Sequence, residues 1–497
     1  MHKQFSRYLF ILVSASLIIL AGCVKERFAT EGSVRLAFSQ DTLRFDTVFT
    51  EIGSATRSFK VYNSNDLPIR ISNVALKEGS GSKFRFNIDG LKGPVAEDIE
   101  IGADDSIYVF VEVTVDPDDP LSESPFVISE ELIFRINGNT QNVILEAWGQ
   151  NANYIPNRYG KNGVALISCD FNTIEWNDPK PYVIYGILVI DECTLVWPAG
   201  ARIYIHGGIA RTTDVAGNRI FYNDGLVFVG PSGKLNSLGN VNDPVIVEGD
   251  RLEEFFGDIP GQWQGIRLDK NSKGNVFNHT TVKNSLYGIF ADSASSVALD
   301  GCQIYNTSTD GILAFNATVR ADNCLIYNNG RNSFSAILGG QYEFNYCTLA
   351  NYGNDQPAVG IAGGYCYDFP ECDIFKELPT QARFNNCVIT GSNRDELWWI
   401  PSENSVNDLF LEHSLIRIDE LMDEGNFPEF METYTNESIN RQRNDSLFAD
   451  LGEFDFRPDT LSVLENKALP LPGIVTDLEG NDRDVATPDI GCYEYQY

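Results

Sequence analysis

A short pattern recurs through the middle of this 497-residue chain. Five segments superpose: Asn278-His279-Thr280-Thr281-Val282-Lys283-Asn284, Asp300-Gly301-Cys302-Gln303-Ile304-Tyr305-Asn306, Asp322-Asn323-Cys324-Leu325-Ile326-Tyr327-Asn328, Asn345-Tyr346-Cys347-Thr348-Leu349-Ala350-Asn351 and Asn385-Asn386-Cys387-Val388-Ile389-Thr390-Gly391. A sixth, Glu412-His413-Ser414-Leu415-Ile416, fits more loosely. Aligning Val282, Ile304, Ile326, Leu349, Ile389 and Ile416 gives steps of 22, 22, 23, 40 and 27 residues. Such a step suits one coil of three short strands and three bends. A unit that small buries its apolar face only by stacking on its neighbours.

Two residues before each aliphatic stand Thr280, Cys302, Cys324, Cys347, Cys387 and Ser414. They share its side of the strand and are small enough to stack inside a narrow cylinder. The four cysteines among them are therefore expected to be buried, unpaired thiols. Asn284, Asn306, Asn328 and Asn351 follow at a constant offset and suit one bend, where asparagine tolerates turn geometry and stacked amides satisfy one another. A second marker reads Gly288-Ile289, Gly311-Ile312, Ala336-Ile337 and Gly360-Ile361.

Upstream, Val183 to Ile190, Cys193 to Trp197, Ala201 to His206, Leu226 to Val229 and Val245 to Val247 are strand-like runs separated by turn residues. Cys169 and Cys193 lie 24 residues apart, about one coil, so they stack or pair across adjacent turns. Trp197-Pro198-Ala199-Gly200-Ala201-Arg202-Ile203-Tyr204, Pro244-Val245-Ile246-Val247, Gly261-Gln262-Trp263-Gln264-Gly265-Ile266 and the tail Asp489-Ile490-Gly491-Cys492-Tyr493-Glu494 resemble the pectin-lyase-like right-handed parallel β-helix proteins of bacterial envelopes. The tail looks like the usual ending of such helices with Cys492 in place of alanine. The resemblance covers residues 160–497 and implies an architecture, since this fold hosts enzymes, adhesins and scaffolds alike.

From Val34 to Gln150 the period is two. Leu43, Phe45, Thr47 and Phe49 form one face, and Ile107, Val109, Val111, Val113 and Val115 another, between turn clusters such as Asp116-Pro117-Asp118-Asp119-Pro120. Residues 34–150 are expected to be a β-sandwich and resemble the immunoglobulin-like domains near the start of many envelope proteins. The fold class is all-β, a sandwich followed by a right-handed parallel β-helix.

Residues 1–22 read as an export leader. Lys3 and Arg7 precede the apolar run Tyr8 to Leu20, which is too short to span a bilayer. Leu20-Ala21-Gly22-Cys23 resembles the bacterial lipobox, which implies lipidation of Cys23 and a tether over residues 23–33. The expected partner is a membrane, held through that lipid, and the expected location is the cell envelope at the outer membrane.

The formal charge is −32, and losing Lys3 and Arg7 makes it −34. Such a surface repels nucleic acid and acidic polysaccharide, and its plainest use is solubility. Nine cysteines besides Cys23 cannot all pair. No cofactor or metal site is expected, and Ca²⁺ is the one ion the acidic groups would admit. Asp477 to Asp484 packs carboxylates around Gly480 without the spacing of a calcium loop.

No catalytic residue is legible. Ser308-Thr309-Asp310-Gly311 resembles one polygalacturonase motif whose companions are missing, so Asp310 reads as a bend residue. Arg267, Lys270, Lys283, Arg320 and Arg331 form no cluster visible in the sequence.

The long step from Leu349 to Ile389 throws out a loop containing Tyr365-Cys366-Tyr367-Asp368-Phe369-Pro370-Glu371-Cys372-Asp373. Cys366 and Cys372 are spaced to be joined. Tyr365, Tyr367, Asp368, Phe369 and Glu371, with Trp398 and Trp399 bordering the same surface, are the candidate ligand-binding residues. Rings there can stack on sugars, and they can equally cover an apolar end of the loop or cap the coil. The expected function is a non-catalytic envelope lipoprotein displaying a binding surface for glycan or a partner protein. A glycan-active enzyme and a structural spacer are the alternatives.

Overall fold

The computed structural model describes residues 27–49, 56–114, 126–150, 152–156, 163–169, 172–207, 209–213, 219–252, 257–442 and 445–496. The leader, Cys23, Val115 and the turn 116–120 lie outside the described residues. Two compact units divide the chain, Met1–Asn151 and Ala152–Tyr497.

Among the described residues the first unit holds two five-stranded sheets. One orders Ala37–Phe38, Arg57–Tyr62, Ser106–Val113, Phe84–Ile88 and Leu91–Lys92; the other orders Thr42–Phe49, Asn139–Gln150, Phe126–Ile136, Ile69–Leu76 and Val95–Ile101. Neighbours are antiparallel except Thr42–Phe49, which runs parallel to Asn139–Gln150. Alternation sends Val109, Val111 and Val113 inward against a core with Leu43, Phe45, Phe134 and Leu145. Tyr108 and Phe110, on the opposite face of the same strand, are exposed.

The second unit winds through three parallel sheets, of eleven, nine and ten strands among the described residues. Val282 pairs with Ile304, Ile304 with Ile326, Ile326 with Leu349, Leu349 with Ile389, and Ile389 with Ile416, all buried. The expected column is therefore the real register, and it extends upstream through Val247 and Ile203 to Tyr182. Val183 to Ile190 is not one strand. Gly186 breaks it into Tyr182–Tyr185 and Ile187–Ile190, because its φ of +77° and the Gly163 carbonyl, 2.2 Å from where a Cβ would stand, leave room only for glycine.

One bend explains the sequence repeat. His279, Gly301, Asn323, Tyr346, Asn386 and His413 all take a positive φ, turning the chain out of the ten-stranded sheet. The next residue, Thr280, Cys302, Cys324, Cys347, Cys387 or Ser414, is buried and donates back to the carbonyl two residues earlier. Cys302, Cys324, Cys347 and Cys387 are free, buried thiols. The asparagine ladder is shorter than its spacing suggests. Asn306 Nδ2 donates to Asn284 Oδ1 at 2.6 Å, whereas the Asn351 amide binds the carbonyls of Arg331 and Gln356.

The second marker slips. Ile289 pairs with Ile312, but Ile312 pairs with Phe334 and Phe334 with Val359. Each of these strands carries inward apolar residues at alternate positions, so Gly360-Ile361 imitates the pattern two residues late. Ala336-Ile337 imitates it three residues late and lands Ile337 on the other face. Cys169 and Cys193 are disulfide-bonded between adjacent coils, with Cα atoms 5.3 Å apart.

The C-terminal segment folds back over the eleven-stranded sheet. Leu447, Phe456, Ile490 and Cys492 pack on Leu325, Tyr346, Val388 and Leu415. Its tail motif is a closed polar network. Asp489 accepts from the backbone of Asn466 and Tyr495, Glu494 accepts from that of Asp484 and Asp489, and buried Arg483 lies 3.3 Å from Glu494 and over the Tyr346 ring.

Candidate functional site on the nine-stranded sheet

With the eleven-stranded sheet covered over these coils, the outer face of the nine-stranded sheet is the place to look for exposed rings. In Leu397–Ile400 the pleat sends Leu397 and Trp399 inward, 2% and 3% exposed, and Trp398 outward at 55%. Trp399 is therefore a core residue, although it still reaches the lining of the cavity beside Trp398. Adjacent residues of a strand cannot share a face, and Trp399 packs edge-on against Tyr434 in the core.

Leu313, Ser335, Gly360 and Trp398 stand in register on four successive coils. Gly360 has no side chain, so the indole of Trp398 borders an open gap. A Cβ at Gly360 would sit 3.6 Å from the Trp398 ring. The gap belongs to a cavity of about 600 Å³ lined also by Arg331, Asn332, Gln356, Asp395 and Asn426. Beneath it, Ser335 donates to Asp310 Oδ1 at 2.5 Å, and Arg331 lies 3.9 Å from that carboxyl. Burial raises the Asp310 pKa. Glu396 is buried too and pushed up to about 7 by desolvation, but its oxygens accept the backbone N–H groups of Ala358 and Asn393. The Glu396 carboxyl is thus committed to holding a bend, and that of Asp310 is held by Ser335.

The loop after Val359–Ala362 is a hairpin, Gly364–Cys366 against Phe375–Glu377, where the preceding coil needs only Leu338 and Gly339. Cys366 and Cys372 are disulfide-bonded. Asp368 Oδ1 accepts the Ile374 N–H at 2.9 Å, and the Asp368 carbonyl accepts the Glu371 N–H at 3.1 Å, so Asp368 closes the loop. Tyr365 and Tyr367 set their edges against Phe315, with centroids 5.1 and 6.3 Å away, and Lys376 stands over the Tyr367 ring. Phe369 is 83% exposed at the tip, and Glu371 is exposed beside it. The candidate residues thus divide between a hairpin seated on Phe315 and a cleft at Trp398. Phe315 and Trp398 stand on coils three apart, or about 14 Å along the axis, while the hairpin leaves from the coil next to that of Trp398. Phe315 was missed in the sequence, although alternation along Ile312–Phe315 marks it as outward.

Another cluster escaped the sequence altogether. Lys283 Nζ lies 3.0 Å from Glu248 on the outer face of the eleven-stranded sheet, with Tyr305 next in register. Burial raises Glu248, while Lys283, which burial would lower, is held up by Glu248. Asn284 and Asn306 donate to the carbonyls of Gly257 and Asp258 and so hold a loop beside this pair. Among the described residues no three or more His, Cys, Asp or Glu side chains converge as a metal site. Asp477 is buried, and its carboxylate accepts from Glu479, Asn481 and Glu494, which makes it the hub of a turn. No described helix is long and apolar enough to cross a membrane.

Residues 152–349 and 256–395 match the family model described as right handed beta helix region. No curated protein matches the chain. Among solved structures, a protein of unknown function from Porphyromonas gingivalis W83 aligns at 15% identity and TM-score 0.18, over 23% of this chain and 46% of that one, so the chain spans less than half of its length. The catalytic unit of a GH87 alpha-1,3-glucanase from Streptomyces thermodiastaticus aligns at 10% identity and TM-score 0.25, over 72% of this chain and 74% of the other. A family 123 glycoside hydrolase from Clostridium perfringens aligns at 5% identity and TM-score 0.16, over 46% and 62%. Overlap of this depth transfers neither substrate nor chemistry. The three parallel sheets, their coil register and the family match make the unit Ala152–Tyr497 a right-handed parallel β-helix.

Proposed function

We propose that this chain is a lipoprotein of the cell envelope, held at the outer membrane through Cys23, whose β-helix displays a non-catalytic glycan-binding surface centred on Trp398. The observation that carries the reading is an exposed indole beside a side-chain-free gap, in a cavity rimmed by Arg331, Asn332, Gln356 and Asn426. A flat apolar ring with amide and guanidinium donors around it matches a pyranose, which offers C–H groups on its face and hydroxyls at its edge. The charge of −32 directs the choice toward neutral glycans. The hairpin tip, with Phe369, Ile374 and Phe375 exposed, favours a second contact with a protein partner.

The test is a glycan array probed with residues 24–497 and with the same body carrying Trp398→Ala. Retention of at least one neutral glycan by the parent and its loss in the variant support the reading; identical profiles overturn it. The anchor is tested separately by Cys23→Ser, which is expected to leave the exported protein outside the membrane fraction.

A further inference from the structure

We propose a second binding site, for a linear uncharged polysaccharide, in the groove along the bend between the nine- and ten-stranded sheets. The groove has a volume of about 740 Å³ and shares no lining residue with the Trp398 cleft. Ser296, Thr318, Gln341, Gln381 and Asp408 stand in register on five successive coils, one rung per coil. Pro379 and the exposed Val406 line the same groove and give it apolar surface. Ser295 and Thr380 line it too, with their hydroxyl oxygens buried behind the surface and without a hydrogen-bond partner among the described residues.

The spacing selects the ligand. Coils repeat about every 4.8 Å, and an extended β-linked hexose chain advances by nearly the same step per sugar, so successive sugars meet successive rungs. Hydroxyls and primary amides donate and accept at once, as sugar hydroxyls do, while Pro379 and Val406 offer surface to the sugar's C–H face. Four of the five rungs are neutral, the fifth, Asp408, is paired with Arg383, and Lys273 lines one end of the groove, so a polyanion is disfavoured by the net charge of −32.

Titration calorimetry on the full chain with cellohexaose, mannohexaose, xylohexaose, cellobiose and hexagalacturonate tests this. At least one neutral hexasaccharide is expected to bind ten times more tightly than the disaccharide, with no binding of hexagalacturonate. Gln341→Ala with Gln381→Ala is expected to weaken that hexasaccharide at least tenfold without moving the melting temperature, and Trp398→Ala to leave it unchanged. Loss of hexasaccharide binding in Trp398→Ala with no effect of the glutamine pair would overturn the groove and leave the Trp398 reading standing. Failure of all three neutral hexasaccharides to bind, or equal affinity for disaccharide and hexasaccharide, also overturns the groove.

Discussion

The thiol of Cys387 donates to the main-chain oxygen of Phe344, 3.3 Å away, and one coil later the hydroxyl of Ser414 donates to that of Phe384 at 3.1 Å. Phe344 and Phe384 are themselves paired, so thiol and hydroxyl perform one task at one place in the bend. The column of cysteines is a column of small donors. Cys387→Ser is therefore expected to fold with nearly unchanged stability, while Cys387→Ala leaves a buried carbonyl short of a donor and costs about 1 kcal/mol. Cys387→Leu overfills the column and costs about 1–3 kcal/mol. Urea melts of the three variants check the order.

Trp398 and Trp399 are expected to part company completely. Trp399→Ala removes a buried ring and costs about 3–5 kcal/mol. Trp398→Ala is expected to stay within about 0.5 kcal/mol of the parent, as an exposed substitution does. Thermal melts of both, set beside glycan binding, separate the core residue from the surface one.

Replacing Tyr365 and Tyr367 together with alanine removes the rings that seat the hairpin on Phe315. Hydrogen exchange across Gly364–Cys366 and Phe375–Glu377 is expected to accelerate at least tenfold, with protection in the coils unchanged. Unchanged exchange in the hairpin would mean that the disulfide and the Asp368 turn hold it without the rings.

Burial raises Glu396 from 4.5 to about 7 and Asp489 from 3.8 to about 6. When the pH is below the unfolded values, these carboxyls are protonated in both states and carry no penalty. As the pH climbs, the unfolded carboxyls ionise first, so stability is lost between about pH 4 and pH 7. Melting temperatures of the parent and of Glu396→Gln over that range are expected to show a shallower decline in the variant, even though the amide satisfies only one of the two backbone donors.

The coil register was legible because, on the coils from Val282 to Ile416, an inward aliphatic follows a small residue and a left-handed turn, three signals in one frame. The nine-stranded sheet was harder to read. Phe334 and Val359 stand where isoleucine was expected, and an aliphatic pattern alone cannot separate a frame from its copy two residues on. At the candidate site, Trp398 was visible but its cleft was not, because the gap exists only where Gly360 meets Ser335 and Trp398 from neighbouring coils. Glu248 and Lys283 were invisible as a pair since the segment between them includes the loop at Gly257 and Asp258, and proximity arises only after the chain has gone round.

A stack of coils in which each touches only its neighbours would unravel from its end like a zip. The tail prevents that. Arg483 donates to Asn323, the Cys492 amide to Thr348 and the Gly491 amide to the Asn386 carbonyl, so one strap crosses three coils. Pulled from its C-terminus, the protein must break that strap before the first coil can peel, and the force record should show one tall rupture ahead of a train of small ones.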